Sequence, residues 1–115
     1  MTRAERAQQL WSLLALAASN RQILTYDTVA RLTGVVRPSI GDFLRPIQQY
    51  CTEESLPPLT SLVVSEQDGL PGEGFIAAAD VPAAQMRVFQ HPWLETLAPN
   101  AQRLEAAYSR APDAR

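Results

Sequence analysis

Tyr26, Arg31, Arg37, Ser39 and Arg45 carry the chemistry to hold a phosphate, and they fall within one short stretch of the chain. A guanidinium offers a planar fork of donors that matches phosphate or carboxylate oxygens, while hydroxyls supply the positioning contacts found along nucleic-acid backbones. A second group, Glu66, Asp68 and Glu73, lies around a Gly- and Pro-rich turn and has the opposite preference. These carboxylates repel a phosphate backbone and suit a basic protein surface.

Catalysis finds less support. His91 stands alone at a helix junction, Cys51 lies on an apolar helical stripe, and Thr60 and Ser61 have no identifiable acid, base or oxyanion loop to activate them. A structural zinc site needs about four Cys or His ligands, and this chain offers one of each. No metal, cofactor or enzymatic activity is expected.

Charge sharpens the division. Every basic residue is Arg. Residues 1–45 hold six of them against Glu5, Asp27 and Asp42, a net of +3, whereas residues 46–86 hold six acids and no base. Residues 87–115 return to +1, and the whole 115-residue chain carries −2. The longest apolar run, around Leu10 to Ala18, is well short of a membrane span, and no signal-peptide pattern opens the chain, so a cytoplasmic protein without a membrane partner is expected.

The elements that must position these side chains follow from periodicity and punctuation. Thr2 caps a first helix that runs to about Ser19 on Ala7, Leu10, Leu14 and Ala17. Gln22 to Thr25 reads as a short edge strand. Thr25 or Asp27 caps a second helix, with Val29, Ala30 and Leu32 facing inward and Gly34 as its left-handed stop. Pro38 opens a third helix whose stripe is Ile40, Phe43, Leu44, Ile47 and Cys51. Pro46 predicts a kink or break near Arg45, because an internal proline costs roughly 3 kcal/mol. Leu59 to Ser65 and Phe75-Ile76 are the expected strands of a hairpin around Asp68-Gly69, with Glu66, Asp68 and Glu73 on this wing. Asp80 caps a further helix that His91-Pro92 closes. Trp93, Leu94 and Leu97 begin another, and Leu104, Ala107 and Tyr108 mark the last.

These signals give a helix-rich α+β fold, a winged helix-turn-helix in the order α-β-α-α-β-β-α with extra C-terminal helices. One domain is expected over residues 1–110, followed by a flexible tail at 111–115. Phe43, Leu44 and Ile47 are its expected core, and Trp11 and Trp93 its expected packing aromatics.

Over roughly residues 5–76 the pattern of TYDTVARLTG, a glycine-containing helix, LPPLTSLVV and DGLPGEGF resembles the C-terminal domain of O6-alkylguanine-DNA alkyltransferases and their catalytically dead alkyltransferase-like relatives. The resemblance implies a DNA-binding surface in which Tyr26 bears on a nucleotide's phosphate and Gly41 matches the glycine of the family's recognition-helix motif. The intercalating arginine of that motif falls on Pro38. The family's P-C-H-R-V-V aligns on Leu59 to Val64, with Thr60 at the cysteine and Ser61 at the histidine, so alkyl transfer is not implied.

DNA is therefore the expected partner, met by the third helix through Arg37, Ser39 and Arg45, with Tyr26 and Arg31 positioning phosphates. The alternative is an interaction module that docks a basic protein through the acidic wing or the C-terminal helices. The sequence leaves the oligomeric state open.

Overall fold

The computed structural model describes residues 1–72 and 74–112. Helix α1, Arg3–Ser19, begins with a reciprocal cap in which Thr2 Oγ1 accepts from the Glu5 N–H and Glu5 Oε1 accepts from the Thr2 N–H. It buries Ala7, Leu10, Trp11, Leu14 and Ala18, the wall on which the other elements pack. Strand β1 is only Leu24–Thr25, and Thr25 also caps α2, Tyr26–Thr33, by accepting from the Thr28 N–H. Gly34 ends α2 at φ +75°, a conformation in which a Cβ is strained. Val29 faces the core as expected, but Leu32 is exposed.

Arg37–Ser39 forms a 3₁₀ turn that leads directly into α3, Ile40–Glu53. The helix does not break at Pro46. Ile40, Leu44, Ile47, Tyr50 and Cys51 are buried on both sides of the proline, and each large apolar side chain contributes about 1.5–3 kcal/mol on burial. Their sum outweighs the roughly 3 kcal/mol that one internal proline costs. Phe43 is half-buried against this core and does not lie within it.

The expected wing is not formed among the described residues. Leu59–Leu62 is a 3₁₀ turn, and only Val63–Val64 is extended, as strand β2. Leu59 and Leu62 are both fully buried, and their spacing of three suits a 3₁₀ turn, which places such residues on one face. Strand β2 pairs in parallel with β1, Leu24 opposite Val63 and Thr25 opposite Val64, so α2 and α3 make the crossover. The Phe75-Ile76 return strand is absent too. A ladder there would have to pass through Pro71, Gly72 and Gly74, which weaken strand pairing. The chain from Ser65 turns back on itself instead, with the Gly69 N–H donating to the Ser65 carbonyl and the Leu70 N–H to Asp68 Oδ1.

Asp80 caps α4, Val81–Gln90, as expected, and a 3₁₀ turn at Trp93–Glu95 buries Trp93 but leaves Leu94 and Leu97 exposed. Trp11 meets Tyr50 and Trp93 edge-on at centroid distances of 5.6 and 5.7 Å. Helix α5, Ala101–Arg110, closes the fold by placing Leu104 and Ala107 against α1 and α3. The result is a helix-rich α+β fold whose only sheet among the described residues is the β1–β2 pair. No described helix is long and apolar enough to cross a membrane.

Candidate functional site

Tyr26, Arg37 and Arg45, three of the five predicted DNA contacts, line one cavity of about 330 Å³. The first turn of α2 supplies Tyr26, the 3₁₀ turn before α3 supplies Arg37, and α3 itself contributes Gly41, Leu44, Arg45 and Gln48. Thr60 forms part of the wall from the buried 3₁₀ turn, and Ser65, Pro71, Gly72, Gly74 and Phe75 close the other side. The volume falls within the range of small-ligand sites, roughly 300–1,000 Å³.

The described residues of this side form no strand ladder, and side chains hold them in place. Tyr26 Oη accepts from the Gly72 N–H at 3.0 Å. Gln48 is bonded at both ends of its amide: Nε2 donates to the Gly74 carbonyl at 3.0 Å, and Oε1 accepts from the Ile76 N–H at 2.8 Å. Gly72 packs closely here, since a Cβ would come within 2.6 Å of Tyr26 Oη and would make the ring or the loop shift. Tyr26 thus acts first as a strut for the loop. Among the described residues its own hydroxyl proton has no acceptor.

Arg37 stands at the rim and is already engaged. Its Nη2 donates to Glu66 Oε2 at 2.6 Å and its Nε lies 2.9 Å from Asp27 Oδ1. Glu66 Oε1 also accepts from the Asp27 N–H at 2.9 Å. The backbone bond first, and the guanidinium second, hold the Glu66 carboxyl below the usual carboxylate range, and Glu66 in turn raises Arg37. Arg45 is more deeply set, with its side chain 19% exposed. It reaches Asp42, Tyr108 Oη and the Pro112 carbonyl, and its guanidinium lies 5.0 Å from the Tyr108 ring centroid.

The remaining predicted residues do not join the cavity. Ser39 is half-buried at the end of its 3₁₀ turn, and Arg31 is exposed in the last turn of α2. Of the acidic trio, Glu66 is exposed and paired with Arg37, Asp68 is exposed and braces its own turn, and Glu73 lies outside the described residues. Pro112, in the expected flexible tail, is tied to Arg45, and residues 113–115 lie outside the description.

No protein family, curated protein or solved structure matches this chain.

Gln48 and Phe75 are among the wall residues that sequence reading missed. Gly41, Arg45 and Gln48 recur at helical spacing beside the buried stripe, which is the signal that places Gln48 at the cavity. Phe75 carries no such signal, since with Ile76 it reads as a strand that does not form.

His91 and Cys51, for which no catalytic role is expected, serve the packing. His91 Nε2 meets Thr96 Oγ1 at 2.8 Å and its ring tilts against Trp93. Cys51 is buried, and desolvation pushes its thiol up to about 12, far from a reactive thiolate. No described group of three or more His, Cys, Asp or Glu residues is placed to hold a metal ion.

Proposed function

We propose that this chain is a non-enzymatic DNA-binding domain of helix-turn-helix type, which meets the phosphate backbone with the α2–α3 unit and receives an unstacked nucleotide in the adjoining cavity. The observation that carries the reading is the convergence of Tyr26, Arg37 and Arg45 on that cavity. Arginine, tyrosine and phenylalanine around one cavity suit a flat, hydrogen-bonding ligand attached to phosphate, because bases stack on aromatic and guanidinium planes. Its described lining contains hydroxyls and guanidinium groups, donors that suit phosphate and base edges.

The acidic-wing alternative has weaker support. Glu66 faces Arg37, and Asp68 is the one described member of the trio left on the surface without an ion-pair partner.

Mobility-shift titration across salt tests the DNA reading. With about three phosphate contacts, raising salt fourfold weakens duplex binding by about 40-fold. Single-stranded DNA, or a duplex with an unpaired base, binds more tightly than a fully paired duplex because the cost of unstacking has already been met. Absence of binding to every DNA at low salt overturns the proposal.

A further inference from the structure

Arg37 and Glu66 belong to opposite readings of the sequence, one to a DNA-contacting helix and the other to an acidic wing, yet they are bonded to each other. The Glu66 carboxylate spans two donors, Arg37 Nη2 at 2.6 Å and the Asp27 N–H at 2.9 Å. Asp27 holds the guanidinium from the other side, through Nε at 2.9 Å. A phosphate oxygen pair has the charge and the bite to replace a carboxylate on such a fork.

We propose that Glu66 is an intramolecular competitor for the phosphate that Arg37 meets, so that DNA binds this domain by displacing Glu66. The inference rests on the DNA-binding reading above and adds regulation to it. The pair is suited to exchange. The Arg37 side chain is 46% exposed and that of Glu66 31%, so water and salt screen their attraction. Glu66 sits at the start of the turn from Ser65 to Leu70, and a change of its side-chain rotamer releases Arg37 Nη2 while Asp27 still holds Nε. Non-specific binding is thereby held low, because one of the few arginines on the DNA-facing side is neutralised until a phosphate arrives.

The test compares E66Q with D68N in mobility shifts on one DNA across salt. The amide introduced by E66Q keeps an oxygen for the Asp27 N–H but removes one of the two charges that hold Arg37, leaving that of Asp27. E66Q is expected to bind about three- to tenfold more tightly than the wild type, with a salt slope steeper by about one contact. Asp68 lies on the same turn with the same charge but without the bond to Arg37, so D68N should gain far less. Adding R37A to E66Q should abolish the gain. Equal gains in E66Q and D68N, or a gain that survives R37A, overturn the competitor role. So does an E66Q affinity equal to a measurable wild-type affinity, which leaves DNA binding itself standing. No binding by either protein at low salt overturns both.

Discussion

The Arg37 guanidinium lies 2.6 Å from the Glu66 carboxylate and 2.9 Å from that of Asp27, so the arginine at the entry to α3 is neutralised by two acids from different parts of the chain. Ion pairs this exposed contribute little to folding. Arg37→Gln should therefore leave the thermal midpoint close to that of the wild type and, on the DNA-binding proposal, weaken DNA binding and lower the salt slope by about one contact. Paired melting and mobility-shift measurements on this variant check the statement, and a large fall in thermal midpoint would contradict it.

Gly72 and Tyr26 make a prediction about the loop that closes the cavity. Gly72→Ala places a Cβ where Tyr26 Oη stands, 2.6 Å away, and forces either the loop or the ring to move. The variant should lose about 1–3 kcal/mol in denaturant unfolding, the range of an overpacked site. Tyr26→Phe alone should lose about 1 kcal/mol, the net value of a typical hydrogen bond. In the Tyr26→Phe background, Gly72→Ala should cost less than it does in the wild type, because the clashing oxygen is gone. Additive losses would mean that the loop is held elsewhere.

The core stripe of α3 was legible in the sequence, and so were the caps at Thr2, Thr25 and Asp80, because each depends on local spacing and local hydrogen bonds. The segment after α3 was not. Leu59 to Val64 is β-branched and apolar enough for a strand, but tertiary burial of Leu59 and Leu62 tightens its first half into a 3₁₀ turn, and Val63–Val64 finds a parallel partner far back in the chain. Periodicity carries no information about such a partner. The same limit hid the site, since Tyr26, Gln48 and Gly72 come together only through the tertiary fold. Phe43 shows the effect on energetics. Ile47 is fully buried and Phe43 only partly, so Ile47→Ala should cost about 2–5 kcal/mol and Phe43→Ala less, reversing the order expected for a larger side chain.

The junction of α5 with α3 predicts acid behaviour. Arg110 grips Glu53 with two nitrogens at 2.7 and 2.8 Å, and this bond, then that from Gln49, lowers the Glu53 carboxyl to about 2. A carboxyl whose folded value lies below its ordinary value of 4.5 contributes stability fully above 4.5 and loses it as pH falls towards about 2. Arg110→Gln should flatten that part of the stability profile and leave the profile above pH 5 nearly parallel to that of the wild type. Chemical denaturation at a series of pH values reads this directly, and an unchanged acid limb would show that the grip is not made in solution.

Thr60 and Ser61 are adjacent, both buried, and neither hydroxyl finds a hydrogen-bond partner among the described residues. An orphaned buried polar group costs about 1–3 kcal/mol, so removing the hydroxyl while keeping the shape should stabilise the fold. Thr60→Val is the cleaner test because valine has the same outline, and a gain of about 1 kcal/mol in unfolding free energy is expected, with a similar or smaller gain for Ser61→Ala. The two differ in position: Thr60 lines the cavity and Ser61 does not. If a nucleotide enters there and draws on the Thr60 hydroxyl, Thr60→Val should bind DNA with an unpaired base more weakly, by about 1 kcal/mol or roughly fivefold, while Ser61→Ala keeps wild-type affinity. Stability gained together with affinity lost at Thr60 alone would mark its hydroxyl as kept for a ligand. Equal behaviour of the two variants in the binding assay would remove Thr60 from the site.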